Sequence, residues 1–371
     1  MKKKILRGVL IFFLLYCIWL GYQLMVHKAY LQEQSAPLPN EIQGVYHIHT
    51  SLSDGRKSPD EVIRIAGQES LDFIILTDHG NPNFLSLDEE GWRDGLLVLS
   101  GSEISVNRGH LVAMGFKSDG ERFSQYAEDA ASQVAQKEGF SIIAHPYSKG
   151  GWSWGDLFLY SGIEVINANS MAKKNLLLSI PYLPAFLINP DYALVRMLDT
   201  PDKNLNKWDS LTQKYIVYAY FSSDAHFLYA PLFRLFRLHL LLEEPLSLDF
   251  GQAQKSVYEG LRNGRFYNAV NAAASAEGFR FYGMSGERRI PMGDTVMFAP
   301  PQTLYVQTPA EFKREIRLIR NGSVVMESET RDLFYDIPGP GVYRVEVYLR
   351  ERTHLGKQVP WIISNPIFIR D

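Results

Sequence analysis

Val45-Tyr46-His47-Ile48-His49-Thr50-Ser51-Leu52-Ser53-Asp54-Gly55 is a short apolar run that breaks off into two histidines, an aspartate and a glycine. Residues i and i+2 of a strand point to one side, so the pleat alone puts His47 and His49 in position to grip one ion together. Gly55, next to Asp54, allows the loop to turn back over the strand end. The helix that follows has a readable start: Ser58 is an N-cap, Pro59 takes the first helical position, and Glu61 completes a capping box. Val62, Ile65 and Ala66 give that helix one apolar face.

The same alternation of apolar run and helix continues along the chain. Strands are expected at 45–48, 73–76, 96–99, 111–116, 141–144, 163–166 and 216–221, with helices at 124–137 and from 252 to the Asn263-Gly264 stop. Continuous apolar runs separated by helices indicate parallel strands covered on both faces, and an α/β barrel fits best. At the ends of these strands lie His47-Ile48-His49, Asp78-His79, Glu103, His110, His145-Pro146 and Asp224-Ala225-His226. Barrel active sites are built from the strand ends and loops of one rim, so residues distant in sequence are expected to converge there. Imidazoles and carboxylates together suit Zn, Mn or Fe. Six histidines at one rim would repel one another or stay unsatisfied without metal. Asp78 is expected to orient a neighbouring ligand without binding metal itself.

The ordered set His47-Ile48-His49-Thr50, Ser53-Asp54-Gly55, Thr77-Asp78-His79, Gly109-His110-Leu111, Ala144-His145-Pro146 and Ser223-Asp224-Ala225-His226 resembles the motifs of the PHP (polymerase and histidinol phosphatase) superfamily. The likeness covers residues 44 to about 270. It implies a distorted seven-stranded β/α barrel that holds two or three divalent metal ions and hydrolyses phosphoesters. Carried over by residue, His47, His49 and Asp224 hold one ion, and Glu103 bridges to a second that His110 and His145 complete. Asp54, His79 and His226 hold a third. Glu103, His49 and Asp224 are the expected catalytic positions.

For substrate binding, Lys149 after His145-Pro146 stands where relatives carry a basic residue, and Arg108 and Asn169 are further candidates. The chain departs from the arginine pattern common after the His-Pro pair. An amidohydrolase would use the same rim for C–N bonds, but its bridging residue is usually a lysine, and Glu103 argues against it. A different class of reading is an envelope-binding scaffold with a structural metal site.

The net charge of −3 gives no broad basic footprint, so long nucleic acid is not the expected partner. A phosphorylated small molecule or a lipid-linked phosphoester fits better. The single cysteine, Cys17, lies in the first apolar segment, so any metal site in the folded part uses nitrogen and oxygen ligands. Lys2, Lys3, Lys4 and Arg7 precede an uncharged run from Gly8 to Val26, long enough to span a bilayer, with no small-residue cleavage pattern after it. The lysines should stay cytoplasmic, which places the remainder outside the cytoplasm, in the periplasm or at the cell surface.

The expected organisation is a transmembrane anchor (1–28), a linker (29–43), a barrel (44–275) and an antiparallel, Ig-like β-sandwich (276–371). The Asn321-Gly322 hairpin signal and the alternating runs around it argue for the last of these. Two apolar segments, 176–198 and 227–242, are read as packing of barrel helices, with an interfacial surface or lid on the bilayer as the sharper alternative.

Overall fold

The computed structural model describes residues 2–32, 36–155, 159–175, 180–309, 313–350, 355 and 358–371, without the side chains of 28–32 and 175. Helix α1 spans Lys2–Gln32, and its Lys2–His27 part is long and apolar enough to cross a membrane. Then come β1 (Glu41–Ile48), α2 (Pro59–Gln68), β2 (Phe73–Leu76), α3 (Phe84–Leu87), β3 (Gly91–Arg93), β4 (Leu96–Val106), β5 (Gly109–Met114) and α4 (Ala127–Gln136). β6 (Phe140–Ala144), β7 (Gly162–Asn167), α5 (Ala168–Asn175), a 3-10 helix (Ile180–Leu187), α6 (Pro190–Met197), α7 (Asp202–Thr212) and β8 (Tyr218–Ser222) follow. Next are α8 (Tyr229–Leu235), β9 (Phe236–Leu241), α9 (Phe250–Arg262) and β10 (Phe266–Val270). The tail carries β11 (Arg280–Ser285), β12 (Arg288–Pro291), β13 (Thr295–Met297), β14 (Gln302–Gln307), β15 (Arg314–Arg320), β16 (Ser323–Ser328), β17 (Asp332–Asp336), β18 (Gly341–Leu349), β19 (Ile362–Ser364) and β20 (Ile367–Arg370).

One large sheet runs in the order β13-β20-β18-β19-β10-β9-β1-β2-β4-β5-β6-β7-β8. Beyond β8, Ala225 bridges to Ile48, bringing the end of β8 back to the end of β1. Period-two alternation sorts the strand residues onto two cores. Tyr46, Phe73, Ile75, Leu97, Leu99 and Ile142 pack on one, and Val45, Ile74, Leu76, Val98 and Ile143 on the other. The capping box at Ser58 and Glu61 forms as expected, and α2 lays Val62, Ile63 and Ala66 on the second core. Val62 and Ile63 each contribute about 1.5–3 kcal/mol, Ala66 less. α9 buries Val257 and Leu261 against the first core.

The pairing is not all parallel. β1-β2, β2-β4, β6-β7 and β7-β8 are parallel, but β4-β5, β5-β6 and β1-β9 are antiparallel. Only Asn107 and Arg108 separate β4 from β5, too short a link for the crossover that parallel neighbours need. Residues 227–242 are α8 followed by strand β9, not helix alone.

In the tail, β12-β11-β14-β17 form a second, antiparallel sheet, and Leu304 and Val306 from it share a core with Leu318 and Val345 of the large sheet. Hydrogen bonding continues across residue 275, because β19 pairs with β10 at Tyr267–Ser364 and Ala269–Ile362.

Candidate metal centre

Glu103 organises the site. It was expected just beyond a strand, yet it lies inside β4, buried, with its two oxygens facing five imidazoles. Oε2 is 3.1 Å from His47 Nε2, 3.1 Å from His49 Nε2 and 3.4 Å from His79 Nδ1. Oε1 pairs with His110 Nδ1 at 2.7 Å and His145 Nε2 at 2.9 Å. Asp224 Oδ1 stands 3.8 Å from His47 Nε2, 3.6 Å from His49 Nε2 and 3.4 Å from His226 Nδ1. Asp54 reaches His49 Nδ1 at 3.5 Å, His79 Nε2 at 3.7 Å and His226 Nε2 at 3.2 Å. All nine ligand candidates are thus brought together. Four overlapping groups have donor atoms close enough to share an ion: His47/His49/Asp224, His47/Glu103/His145, His79/Glu103/His110 and His49/Asp54/His79/His226.

Local backbone explains the convergence better than simple strand alternation does. His47 sits in a bulge where the β1-β2 register shifts, with φ of 63°, and His145 and Asp224 also take left-handed φ of 27° and 45°. For non-glycine residues such conformations cost energy and collect at functional sites. His47 and His49 face the same carboxylates because the bulge turns His47, not because the pleat runs on undisturbed. At Gly55 φ is ordinary; its role is close approach, since a Cβ there would lie 2.3 Å from the His49 carbonyl oxygen. Asp78 accepts hydrogen bonds from Thr50 N–H (2.7 Å), Thr50 Oγ1 (2.8 Å) and Ser53 Oγ (2.6 Å). It therefore fastens the loop that carries His49 and Asp54.

The donor set fits divalent cations. His47 Nε2, both nitrogens of His49 and His79 Nδ1 are buried yet make no hydrogen bond. They lie within ion-pair distance of Glu103 or Asp54 but lack hydrogen-bond alignment, a pattern of lone pairs aimed at a shared point. Without an ion, burial disfavours the ionised Glu103, but the His47 charge and hydrogen bonds from His110 and His145 outweigh it and hold the carboxyl well below its usual range. Burial depresses His49, whereas on His47 the nearby Glu164, Glu103 and Asp224 overcome burial and raise it.

Glu164 escaped the sequence reading. It is fully buried on β7 and accepts from His47 Nδ1 (2.5 Å), Tyr46 Oη (2.6 Å), the His145 N–H (2.8 Å) and Asn167 Nδ2 (2.9 Å). The available signal was a lone carboxylate inside the apolar run Ile163-Glu164-Val165-Ile166. Such a partner fixes the tautomer and direction of a metal-binding imidazole. Burial opposes its ionisation, but the His47 charge and hydrogen bond draw the carboxyl down to about 2. Its stabilisation is therefore present above the ordinary value of 4.5 and is lost as pH falls towards about 2. Glu164→Gln is expected to weaken metal affinity about 10- to 100-fold and to remove that acid-side loss. Metal titration and a pH series of melting curves check both.

The candidate substrate residues part company. The site opens into a cavity of about 680 Å³ lined by His79, His110, Asn169, Lys173, Lys174 and Lys203 among others. Asn169 donates to Asp224 Oδ2 at 3.3 Å. Arg108 turns away, held by Glu128 at 2.7 Å and the Ser153 carbonyl, and Lys149 donates to the Asn107 carbonyl at 3.1 Å. Neither lines the cavity. The cavity cations are Lys173, Lys174 and Lys203, which the sequence reading passed over; Lys203 Nζ sits 3.9 Å over the Tyr147 ring.

Similar solved structures include PHP-like phosphoesterases and an amidohydrolase. A two-domain protein from Bacteroides vulgatus containing a predicted PHP-like metal-dependent phosphoesterase is 14% identical, covering 91% of this chain and 99% of its own, with a TM-score of 0.45. An amidohydrolase from Chromobacterium violaceum, with bound sulfate and no metal, is 16% identical over 49% of this chain and 87% of its own, with a TM-score of 0.31. A protein from Bifidobacterium adolescentis assigned to the metal-dependent phosphoesterases is 15% identical over 50% and 87%, also at 0.31. No protein-family model and no curated protein matches the sequence. What the site can do follows from its own donors.

Proposed function

We propose that this chain is a metal-dependent phosphoesterase, anchored by α1 with its catalytic part outside the cytoplasm, and that it works with two or three Zn, Mn or Fe ions. In this reading the large sheet wraps as a distorted barrel, and residues 276–371 form a sandwich against it. The observation that carries the proposal is Glu103, one buried carboxylate presenting both oxygens to imidazoles from four separate segments.

His47, His49 and Asp224 would hold one ion, Glu103 would bridge to a second completed by His110 and His145, and Asp54, His79 and His226 would hold a third. Bound ions of this kind acidify a shared water and neutralise charge on the phosphoryl group. The protein's own groups do the positioning. Glu164 orients His47, Asn169 holds Asp224, and Asp78 secures the loop of His49 and Asp54. Lys173 and Lys203 offer positive charge along the cavity for the anionic part of a substrate, while Lys174 is paired with Asp199 at 2.7 Å.

Purified full-length chain, offered Zn, Mn or Fe, is expected to retain more than one ion per molecule by elemental analysis. It should hydrolyse a chromogenic phosphoester, lose that activity on chelation and regain it on metal return. A protein that stays empty, or one that binds metal and hydrolyses no phosphomonoester or diester in a broad panel, would overturn the proposal.

A further inference from the structure

The 3-10 helix Ile180–Leu187 packs between α6 and α1, with Phe186 also reaching the large core. Leu20 of α1, buried, forms a small core with Ala185, Tyr192 and Ala193, and Tyr16, Leu24, Tyr182 and Phe186 pack around it. Tyr16 Oη donates to the Pro181 carbonyl at 2.6 Å, and Trp19 meets Tyr182 with ring centroids 6.0 Å apart.

These contacts fix a depth. At 1.5 Å of rise per residue, Leu20 lies about 10 Å and Tyr16 about 16 Å along the helix from His27. A segment packed against them enters whatever medium surrounds that part of α1. Its outer face suits hydrocarbon: Ile180 is 55% exposed, Leu187 92% and Ile188 68%. Pro181 and Pro184 carry no N–H to leave unsatisfied there, and the Ala185 carbonyl accepts from both Ile188 and Asn189. Trp19 meets both Tyr16 and Tyr182, so the contact between the two segments is largely aromatic.

We infer that residues 180–188 insert into the same leaflet as the outer part of α1, so that the barrel rests on the bilayer. The inference builds on the reading of α1 as a span. α5, just ahead of this segment, carries cavity residues Lys173 and Lys174, the latter paired with Asp199, so the insertion brings this side of the cavity towards the lipid headgroups. The matching substrate class is a phosphoester carried by a lipid.

The test uses the full chain with Cys17→Ser, reconstituted in phosphatidylcholine and phosphatidylglycerol vesicles. Single cysteines are placed by Leu187→Cys, Leu183→Cys, Phe12→Cys and Tyr126→Cys, each labelled with an environment-sensitive fluorophore. Phe12 is the α1 reference, and exposed Tyr126 beside α4 is the solvent reference. Quenching by spin-labelled lipid should be comparable at 187, 183 and 12 and several-fold weaker at 126. Quenching at 12 without quenching at 183 and 187 overturns the insertion while leaving the span intact. Absence of quenching at 12 removes both. Probes at 183 and 187 shielded from aqueous iodide yet untouched by lipid quenchers would place a protein on this face and also reject the inference. Depth is read without turnover, so failure of the phosphoesterase proposal is seen separately.

Discussion

Glu103→Ala protein is expected to lose at least about 10³-fold in phosphoester hydrolysis, the rate equivalent of about 4 kcal/mol of charge stabilisation. The size of the effect follows from geometry. Removing this carboxylate disconnects imidazoles on both sides, since Oε2 faces His47, His49 and His79 while Oε1 faces His110 and His145. Loss of any single histidine leaves the other groups partly assembled. Bound metal should fall below the wild-type stoichiometry in the same preparation. The fold should survive, because the site is open on one side: His79 and His110 are each about one-third exposed, and water can enter the space left. Glu103→Gln keeps the shape and removes the charge, so it separates the two roles; it should retain native melting behaviour and still lack activity. Wild-type turnover in a folded Glu103→Ala variant would falsify the central role given to this carboxylate.

How much of this centre was legible in the sequence depends on what local signals carry. The Ser58 capping box and the Asn321-Gly322 hairpin were legible because both are short-range: Asn321 and Gly322 take φ of 51° and 83°, as a two-residue hairpin requires. The histidines were legible because strand ends are marked by where apolar runs stop. Glu103 was recognised as a ligand but misplaced. Ser100-Gly101-Ser102 interrupts the apolar pattern after Leu99, whereas the backbone continues as strand to Val106, supported by pairing with β5. Glu164 was hidden for the opposite reason: its surroundings read as pure strand, and its partners, Tyr46, His47 and His145, come from elsewhere in the chain. β9 and β10 were missed because their pairing with β1 and β19 is tertiary. Arg108 and Lys149 were plausible by proximity to ligands in sequence, yet their side chains are claimed by Glu128 and the Asn107 carbonyl.

The second large effect concerns how the tail is joined to the rest. Asp209 on α7 receives Arg344 of β18 in a two-pronged pair, Nε to Oδ1 at 2.7 Å and Nη2 to Oδ2 at 2.8 Å. Arg344 also binds Glu346 Oε1 at 2.5 Å, lies 5.0 Å over the Trp208 ring, and is almost wholly buried. Burial alone would lower the Arg344 pKa, but Glu346 and Asp209 raise it, so the guanidinium stays charged. Breaking a buried pair by deleting one partner costs about 3–5 kcal/mol, chiefly because the survivor is left uncompensated. Glu346 remains in Asp209→Ala, so about 3 kcal/mol is the expected loss, read as a lower urea midpoint with unchanged slope. Asp209→Asn, which keeps one acceptor, should lose less. The pair crosses residue 275, as does the β10-β19 pairing. One transition that shifts as a whole is therefore expected; an unmoved midpoint would show that this ion pair does not join the tail to α7, and two transitions of which only the tail's moves would show the segments unfolding independently.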